Sequence, residues 1–294
     1  MRTLYATDGS APARTAEDLI TALFDRTVEV EVFTVTPEPT YDLIAPVGLP
    51  EPVTLGVPDL NADQIARTTA DRLAGDGFAT WAATSSGDPA REVLERIEAG
   101  GIELVVLGAS HGTWMGTLLL GRVSMHVLHH APCSVVVSHR APSDSGRILI
   151  GADGSNGSRA SIAAAATLLD RDRCSVHVAS VATYPWVLAT THPIAPLPGQ
   201  ITDAKRLERE RIEHARAAAR RAAAEMKAAG FKVSEATVLE GSAGSQLLKE
   251  ADNLNADLVV VGSRGRGGLS RAVLGSVSDQ VARHAPAAFV GRVS

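Results

Sequence analysis

A chain of 294 residues that is 45% hydrophobic and 21% charged is globular in composition and long enough for two ordinary domains. Its net charge of −5 comes with no basic tract, which argues against a nucleic-acid backbone as the main ligand. No apolar run approaches a membrane span and the chain opens directly into a strand without a signal peptide, so a cytoplasmic protein with no membrane partner is expected. Met1–Thr7 reads as the first strand, followed by a helix that reaches about Phe24, and Val28–Val35 is the second strand. A Pro-rich stretch from Thr36 to about Asn61 delays a helix around Ala62–Ala74. Phe78–Thr84 is a third strand, and Gly87–Pro89 opens a helix to about Ala99. Glu103–Leu107 is the fourth strand, a long loop and a helix follow, and Cys133–Ser138 is the fifth. Strands and helices alternating in this way predict an α/β fold with an open parallel sheet covered on both faces.

Arg140–Arg147 is polar and turn-rich and reads as a linker, after which the pattern begins again. Asp153 falls on Asp8, Ser155 on Ser10 and Arg159 on Arg14. Further on, Ile102–Val136 aligns without a gap on Ala256–Val290, so that Gly108 meets Gly262, Gly121 meets Gly275 and Ser124 meets Ser278. This internal duplication predicts two similar domains, residues 1–143 and 144–294, each large enough to fold alone. The longest element is expected over Asp203–Ala229, a helix with Leu207, Ile212, Ala215, Ala219, Ala222 and Met226 along one side. Its arginines alternate with Glu208, Glu210 and Glu213, which reads as a solvated, salt-bridged face. Cys133 and Cys174 form no C-x-x-C and are placed in strands as buried reduced thiols.

Glycines mark the stretch that carries chemistry. Asp257–Val261 is a short apolar strand, and Gly262–Ser278 connects it to a helix that ends before Pro286. In that connection Gly262 is expected to turn the chain tightly, Gly265 and Gly267 to let backbone N–H groups crowd an anion, and Gly275-Ser276 to open the helix toward a phosphate. Ser276 and Ser278 are candidates for capping or for donating hydroxyls to phosphate oxygens, and Arg264, Arg266 and Arg271 add positive charge. Gly268 and Leu269 stand where a Walker loop needs Lys and Ser or Thr, and no G-x-G-x-x-G reads through the stretch.

What stands is G-x2-G-x9-G-S, which resembles the nucleotide-binding signature of the universal stress protein family, and the likeness covers nearly the whole chain twice. The resemblance implies an adenine nucleotide alpha-hydrolase-like fold with strand order 3-2-1-4-5 in each domain and ATP, with or without Mg²⁺, as ligand. On this reading Ala152, Asp153, Val181 and Val261 line the base side, and Gly262, Gly265, Gly275, Ser276, Val277 and Ser278 take ribose and phosphates. Asp153 also has a structural reading, as an acid at a strand end that shapes the next helix start. In the first domain Asp8, Gly108, Gly121 and Ser124 keep the pattern, but His111 replaces the second glycine and Arg122 replaces Ser276, so a weak or empty site is expected there. Trp114 and Met115 in that loop read as apolar contacts.

His126, His129 and His130 share one helix face at metal-ligand spacing, yet only His130 recurs in the repeat, as His284, so no metal site is assigned. No acid lies between Gly262 and Ser278, and no catalytic residue is nominated. The expected function is nucleotide-dependent regulation or stress response with little or no hydrolysis. A slow ATPase or nucleotide transferase, and a nucleotide-free dimeric scaffold, are the alternatives. The resemblance finally implies that the last strands, Cys133–Ser138 and Ala287–Val293, pair within one chain as a pseudo-dimer, and it allows a homodimer of chains beyond it.

Overall fold

Short polar side chains fix where the helices begin. In a computed structural model that describes residues 1–37, 61–109, 113–114, 117–118, 120–143, 145–183, 198–234, 236–265 and 274–292, Ser10 accepts from Ala13 N at the start of α1 (Ala11–Leu23). Ser155 does the same for Ser158 N at α5 (Asn156–Leu168). Asn61 caps α2 (Ala62–Gly75), and Asp88 with Pro89 behind it starts α3 (Pro89–Gly100). The first repeat otherwise contains β1 (Arg2–Ala6), β2 (Glu29–Pro37), β3 (Ala79–Gly87), β4 (Leu104–Gly108), a small ribbon of β5 (Thr113–Trp114) and β6 (Thr117–Leu118), α4 (Arg122–His130) and β7 (Ser134–Ser138). The second has β8 (Arg147–Gly151), β9 (Ser175–Ala182), α6 (Pro198–Ala228), β10 (Lys232–Val233), β11 (Thr237–Glu240), α7 (Ala243–Leu254), β12 (Leu258–Gly262), α8 (Ser276–His284) and β13 (Ala287–Gly291). The expected strand ends shift by one to three residues, and most of the Pro-rich stretch lies outside the described residues.

The sheet runs β3-β2-β1-β4-β7 in the first repeat and β10/β11-β9-β8-β12-β13 in the second, the order 3-2-1-4-5 twice, with every pair inside a repeat parallel. The third strand of the second repeat is broken into β10 and β11, both on β9. The two half-sheets then join into one sheet of 11 strands: β7 pairs antiparallel with β13, Phe289 opposite Val136 and Ala287 opposite Ser138. The expected pairing of last strands is therefore present, and it removes two open edges from water. Central strands such as β4 and β12 are apolar on both faces because helices cover both. One buried layer holds Leu19, Leu73, Ile162 and Met226 from α1, α2, α5 and α6, and the other holds Ile97, Val127, Leu247 and Val281 from α3, α4, α7 and α8. Both layers draw residues from both repeats.

The junction repeats its own contacts about a pseudo-dyad. His129 Nε2 lies 3.5 Å from Asp279 Oδ1, and Arg283, which the repeat sets on His129, reaches Met125 Sδ at 3.2 Å. His139 Nε2 donates to Ala282 O at 2.7 Å, and Arg292 Nη2 donates to Leu128 O at 2.5 Å. The linker is tied rather than loose: Asp257, almost fully buried, accepts from Ser143 N and Oγ, Ser145 Oγ and Arg147 N at 2.6–3.1 Å.

Two expectations change. The long helix starts earlier, at Pro198, and its apolar side is buried only from Ala215 onward, while Leu207 is 42% exposed. A helix of 31 residues is about 46 Å long, and a strand of eight residues covers little more than half of that, so among the described residues no sheet extends beneath the upstream turns. The cysteines sit just before β7 and β9 rather than inside them. Both are free and buried, and burial pushes each thiol up to about 12, well away from thiolate chemistry at neutral pH.

Candidate functional site

In the second repeat β8 has β9 on one side and β12 on the other, so the chain crosses from one to the other at the carboxyl ends of β8 and β12. Asp153 lies just past β8. Its Oδ1 accepts Ser155 N at 2.9 Å, and Ser155 Oγ in turn accepts Ser158 N at 3.1 Å. The helix cap is thus Ser155, and the acid only shapes the turn before it; Asp8 and Ser10 repeat this arrangement. The second oxygen of Asp153 faces the glycine loop. A Cβ at Gly265 would lie 3.0 Å from Asp153 Oδ2, a tight contact that the carboxylate would have to relieve by a small shift, so the glycine eases the close approach of loop backbone and carboxylate.

The other two glycines have different reasons. A Cβ at Gly262 would lie 2.7 Å from Gly157 C and Ser158 N, and one at Gly108 would lie 2.2 Å from Pro12 O. Both are needed so that the first turn of α5 or α1 can cross the strand end, which corrects the expectation of a tight turn at Gly262. None of Gly262, Gly265 and Gly275 has a left-handed φ. Gly275 is extended and heads α8 with no side-chain cap, while its own N–H donates to Ser263 O at 2.8 Å. Among the described residues, none accepts from the backbone N–H groups of Ser276, Val277 and Ser278 at the positive end of the helix. Ser278 is the further correction. Its buried hydroxyl lies 2.9 Å from both Ser263 O and Gly275 O, so its one proton is committed to backbone and not available to a phosphate. Ser276 is exposed at the helix start.

These residues meet on one cavity of about 630 Å³. All of the second-domain residues named from sequence line it: Ala152, Val181 and Val261 on the apolar side, Asp153 at the crest, and Gly262, Gly265, Gly275, Ser276, Val277 and Ser278 on the loop and helix side. Arg211, His214 and Ala215 of α6, with Leu247 of α7, close the opposite wall and were not named. Arg211 and His214 are one helical turn apart immediately before the buried face at Ala215. That spacing is the signal sequence offered, obscured by the surrounding charged residues. Arg264 also borders the cavity; Arg266, Gly267 and Arg271 lie outside the described residues.

In the first repeat Ser124 Oγ donates to Gly108 O at 2.8 Å, as Ser278 does to its own loop, and Gly121 heads α4 without a side-chain cap. Ile65 packs on Gly9, 3.3 Å from its Cβ position, where Gly154 meets only the Cβ of Ala218 at 3.5 Å and His214 Nε2 at 3.7 Å. His111, Gly112, Met115, Gly116 and the Trp114 side chain lie outside the described residues. His126 and His130 stack at 4.2 Å while His129 turns to Asp279, and no group of three or more potential metal ligands occurs among the described residues. Nor, among them, is any helix long and apolar enough to cross a membrane.

The universal stress protein family model matches the chain twice, over residues 1–139 and 145–290. The chain belongs to the universal stress protein family. A universal stress protein of Mycobacterium bovis is 33% identical over 184 residues, covering 61% of this chain and 58% of the relative. One of Mycolicibacterium smegmatis is 35% identical over 188 residues, covering 62% of this chain and 59% of that one. The chain thus spans about 58% of the length of the curated relatives it first matches. The crystal structure of a universal stress protein from Archaeoglobus fulgidus aligns over 99% of this chain and 98% of its own, with TM-score 0.61 and 18% identity. A functionally unknown protein from Pseudomonas aeruginosa aligns over 99% and 92%, with TM-score 0.65 and 16% identity. These likenesses establish the adenine nucleotide alpha-hydrolase-like fold along both repeats.

Among the described residues of this universal stress protein, the cavity has an apolar wall, one carboxylate, and a helix start whose amides meet no acceptor. Such a set fits a ligand with a flat apolar base, hydroxyls and an anionic tail. The residues present are therefore chemically suited to a nucleotide.

Proposed function

We propose that the second repeat binds ATP and that the protein is a nucleotide-dependent regulatory or stress-response binding protein with little or no hydrolysis. The supporting observation is the convergence on one cavity of Asp153, the side-chain-free approach at Gly265 and the uncapped start of α8. Ala152, Val181 and Val261 would face the base and Asp153 the ribose. The amides of Gly265, Ser276, Val277 and Ser278 would take the phosphates, with Gly275 heading α8 beside them and Gly262 holding the loop against α5. Asp153 is the single carboxylate among the described lining residues, so Mg²⁺, where present, would rest mainly on phosphate oxygens and water. The repeats are proposed as two units, residues 1–143 and 144–294, the first with a weak or empty site at Asp8, Gly108, Gly121 and Ser124. The protein is proposed to work in the cytoplasm, as a pseudo-dimer within one chain that is free to pair with a second copy.

Mass spectrometry of nucleotide released on denaturing the purified protein tests the reading against a nucleotide-free scaffold. Phosphate release at saturating ATP, compared with Asp153→Ala, tests it against a slow ATPase. Robust release that the substitution abolishes would move the assignment to an enzyme.

A further inference from the structure

The two repeats also differ at the opposite end of the sheet, near the amino ends of the strands. In the first repeat Glu31 of β2 is fully buried and accepts from Arg96 Nε at 2.5 Å, with Arg2 Nη2 at 3.7 Å. The Arg2 guanidinium lies over the Trp81 ring, 5.4 Å from its centroid, within cation–π range. Strand register gives each of these residues a counterpart. Arg2 pairs with Glu29 as Arg147 pairs with Ser175, which sets His177 on Glu31. Glu29 pairs with Ala79 and Glu31 with Trp81, whereas Ser175 pairs with Lys232 and His177 lies beside Ser234.

The second repeat has thus kept the arginine and lost the indole. Where Trp81 covers the sheet in the first repeat, Ser234 leaves a cavity of about 400 Å³ lined by Arg147, His177, Lys232 and Ser234 over Val233 and Leu254. The charges are rearranged as well. Glu29 and Glu31 give way to Ser175 and His177, Lys232 stands where Ala79 did, and Glu250 stands where Arg96 did, so a balanced cluster becomes one with a single excess positive charge. His177 is held in place, its Nδ1 2.9 Å from Ser234 Oγ and its Nε2 3.1 Å from Thr237 Oγ1 and 3.4 Å from Glu250 Oε1. Among the described residues, Arg147 and Lys232 have no ion-pair partner.

We propose that this cavity is a second ligand site, for a small aromatic carboxylate. Its ring takes the place that Trp81 occupies in the first repeat, under Arg147, and its carboxylate meets Arg147 and Lys232. An arginine over a ring with a free cation beside it selects a planar anion over a neutral ring or an aliphatic acid. The site is independent of the nucleotide cavity, which lies at the carboxyl ends of the strands.

The test is an amide-resolved NMR titration of the full chain with indole-3-carboxylate, run with ATP in excess so that the other cavity is out of play. Saturable shifts at Ser175, Val176, Lys232 and Ser234 are expected, with a dissociation constant of roughly 0.1–1 mM for so small a ligand. Neutral indole and the variant Arg147→Gln should each bind at least about tenfold more weakly. Ser234→Trp, which rebuilds the arrangement of the first repeat, should abolish the shifts; should it not fold, Lys232→Glu is expected to weaken binding as Arg147→Gln does. Absence of saturable shifts, shifts centred elsewhere, or equal affinity in these variants would overturn the proposal.

Discussion

At the scale of single residues, glycines that look alike in sequence do different work, and substitution separates them. Gly262→Ala forces a Cβ into the backbone of α5 and should cost about 1–3 kcal/mol of stability in urea denaturation, with ATP affinity per folded molecule little changed. Gly265→Val should do the reverse, leaving the unfolding midpoint nearly in place and lowering ATP affinity at least tenfold, about 1.4 kcal/mol. Asp153→Asn keeps an oxygen for Ser155 N and removes only the charge. If the acid merely shapes the turn, that variant will titrate with ATP like the parent; a loss of affinity is predicted instead. Ser278→Ala should cost about 1–2 kcal/mol of stability, because Ser263 O and Gly275 O lose a buried donor, and a selective loss of ATP affinity would contradict that assignment. The spacing G-x2-G-x9-G-S was legible in sequence, but the reason for each glycine was not, because it depends on which backbone crosses behind it.

At the scale of elements, sequence periodicity located the strands and helices well where the chain is covered on one or both faces. Central strands read as unbroken apolar runs, and α1 and α5 carry their own serine caps. It failed where coverage stops. The upstream turns of α6 carry Leu207 and Ile212 in a helical stripe, yet among the described residues Leu207 is left exposed and Ile212 only half-buried, so the stripe predicts more burial than occurs. That overhang is also what brings Arg211 and His214 to the site. They border the cavity because the helix outruns the sheet, a length mismatch that no local pattern encodes. The join between β7 and β13 was anticipated only through family resemblance, since an antiparallel pair between distant strands leaves no local signature.

At the scale of the whole molecule, that join makes the repeats one mechanical object, with buried layers that run through it. Phe289, fully buried on β13 opposite Val136, is therefore expected to matter to both halves. Phe289→Ala should cost about 3–5 kcal/mol, and calorimetry should still show one shared transition. His139 adds pH dependence to the same junction. It is 9% exposed and donates to Ala282 O, and burial, with His284 nearby, holds its pKa below the ordinary 6.5. The unfolded chain then takes up the proton first, so the stability from neutral His139 is complete above about pH 6.5 and erodes as pH falls below it, levelling once the folded residue protonates. His139→Gln should flatten the fall in stability between about pH 7 and 5 relative to the parent, whereas parallel curves would remove His139 from the account.

The central claim is that open amides at the start of α8 and the carboxylate of Asp153 hold a nucleotide between them. Isothermal titration of the full chain with ATP tests it directly. One saturable site per chain is predicted, lost in Gly265→Val and weakened in Asp153→Asn, with both variants folded by circular dichroism. No heat of binding in the folded parent protein, or two equivalent sites per chain, would contradict it.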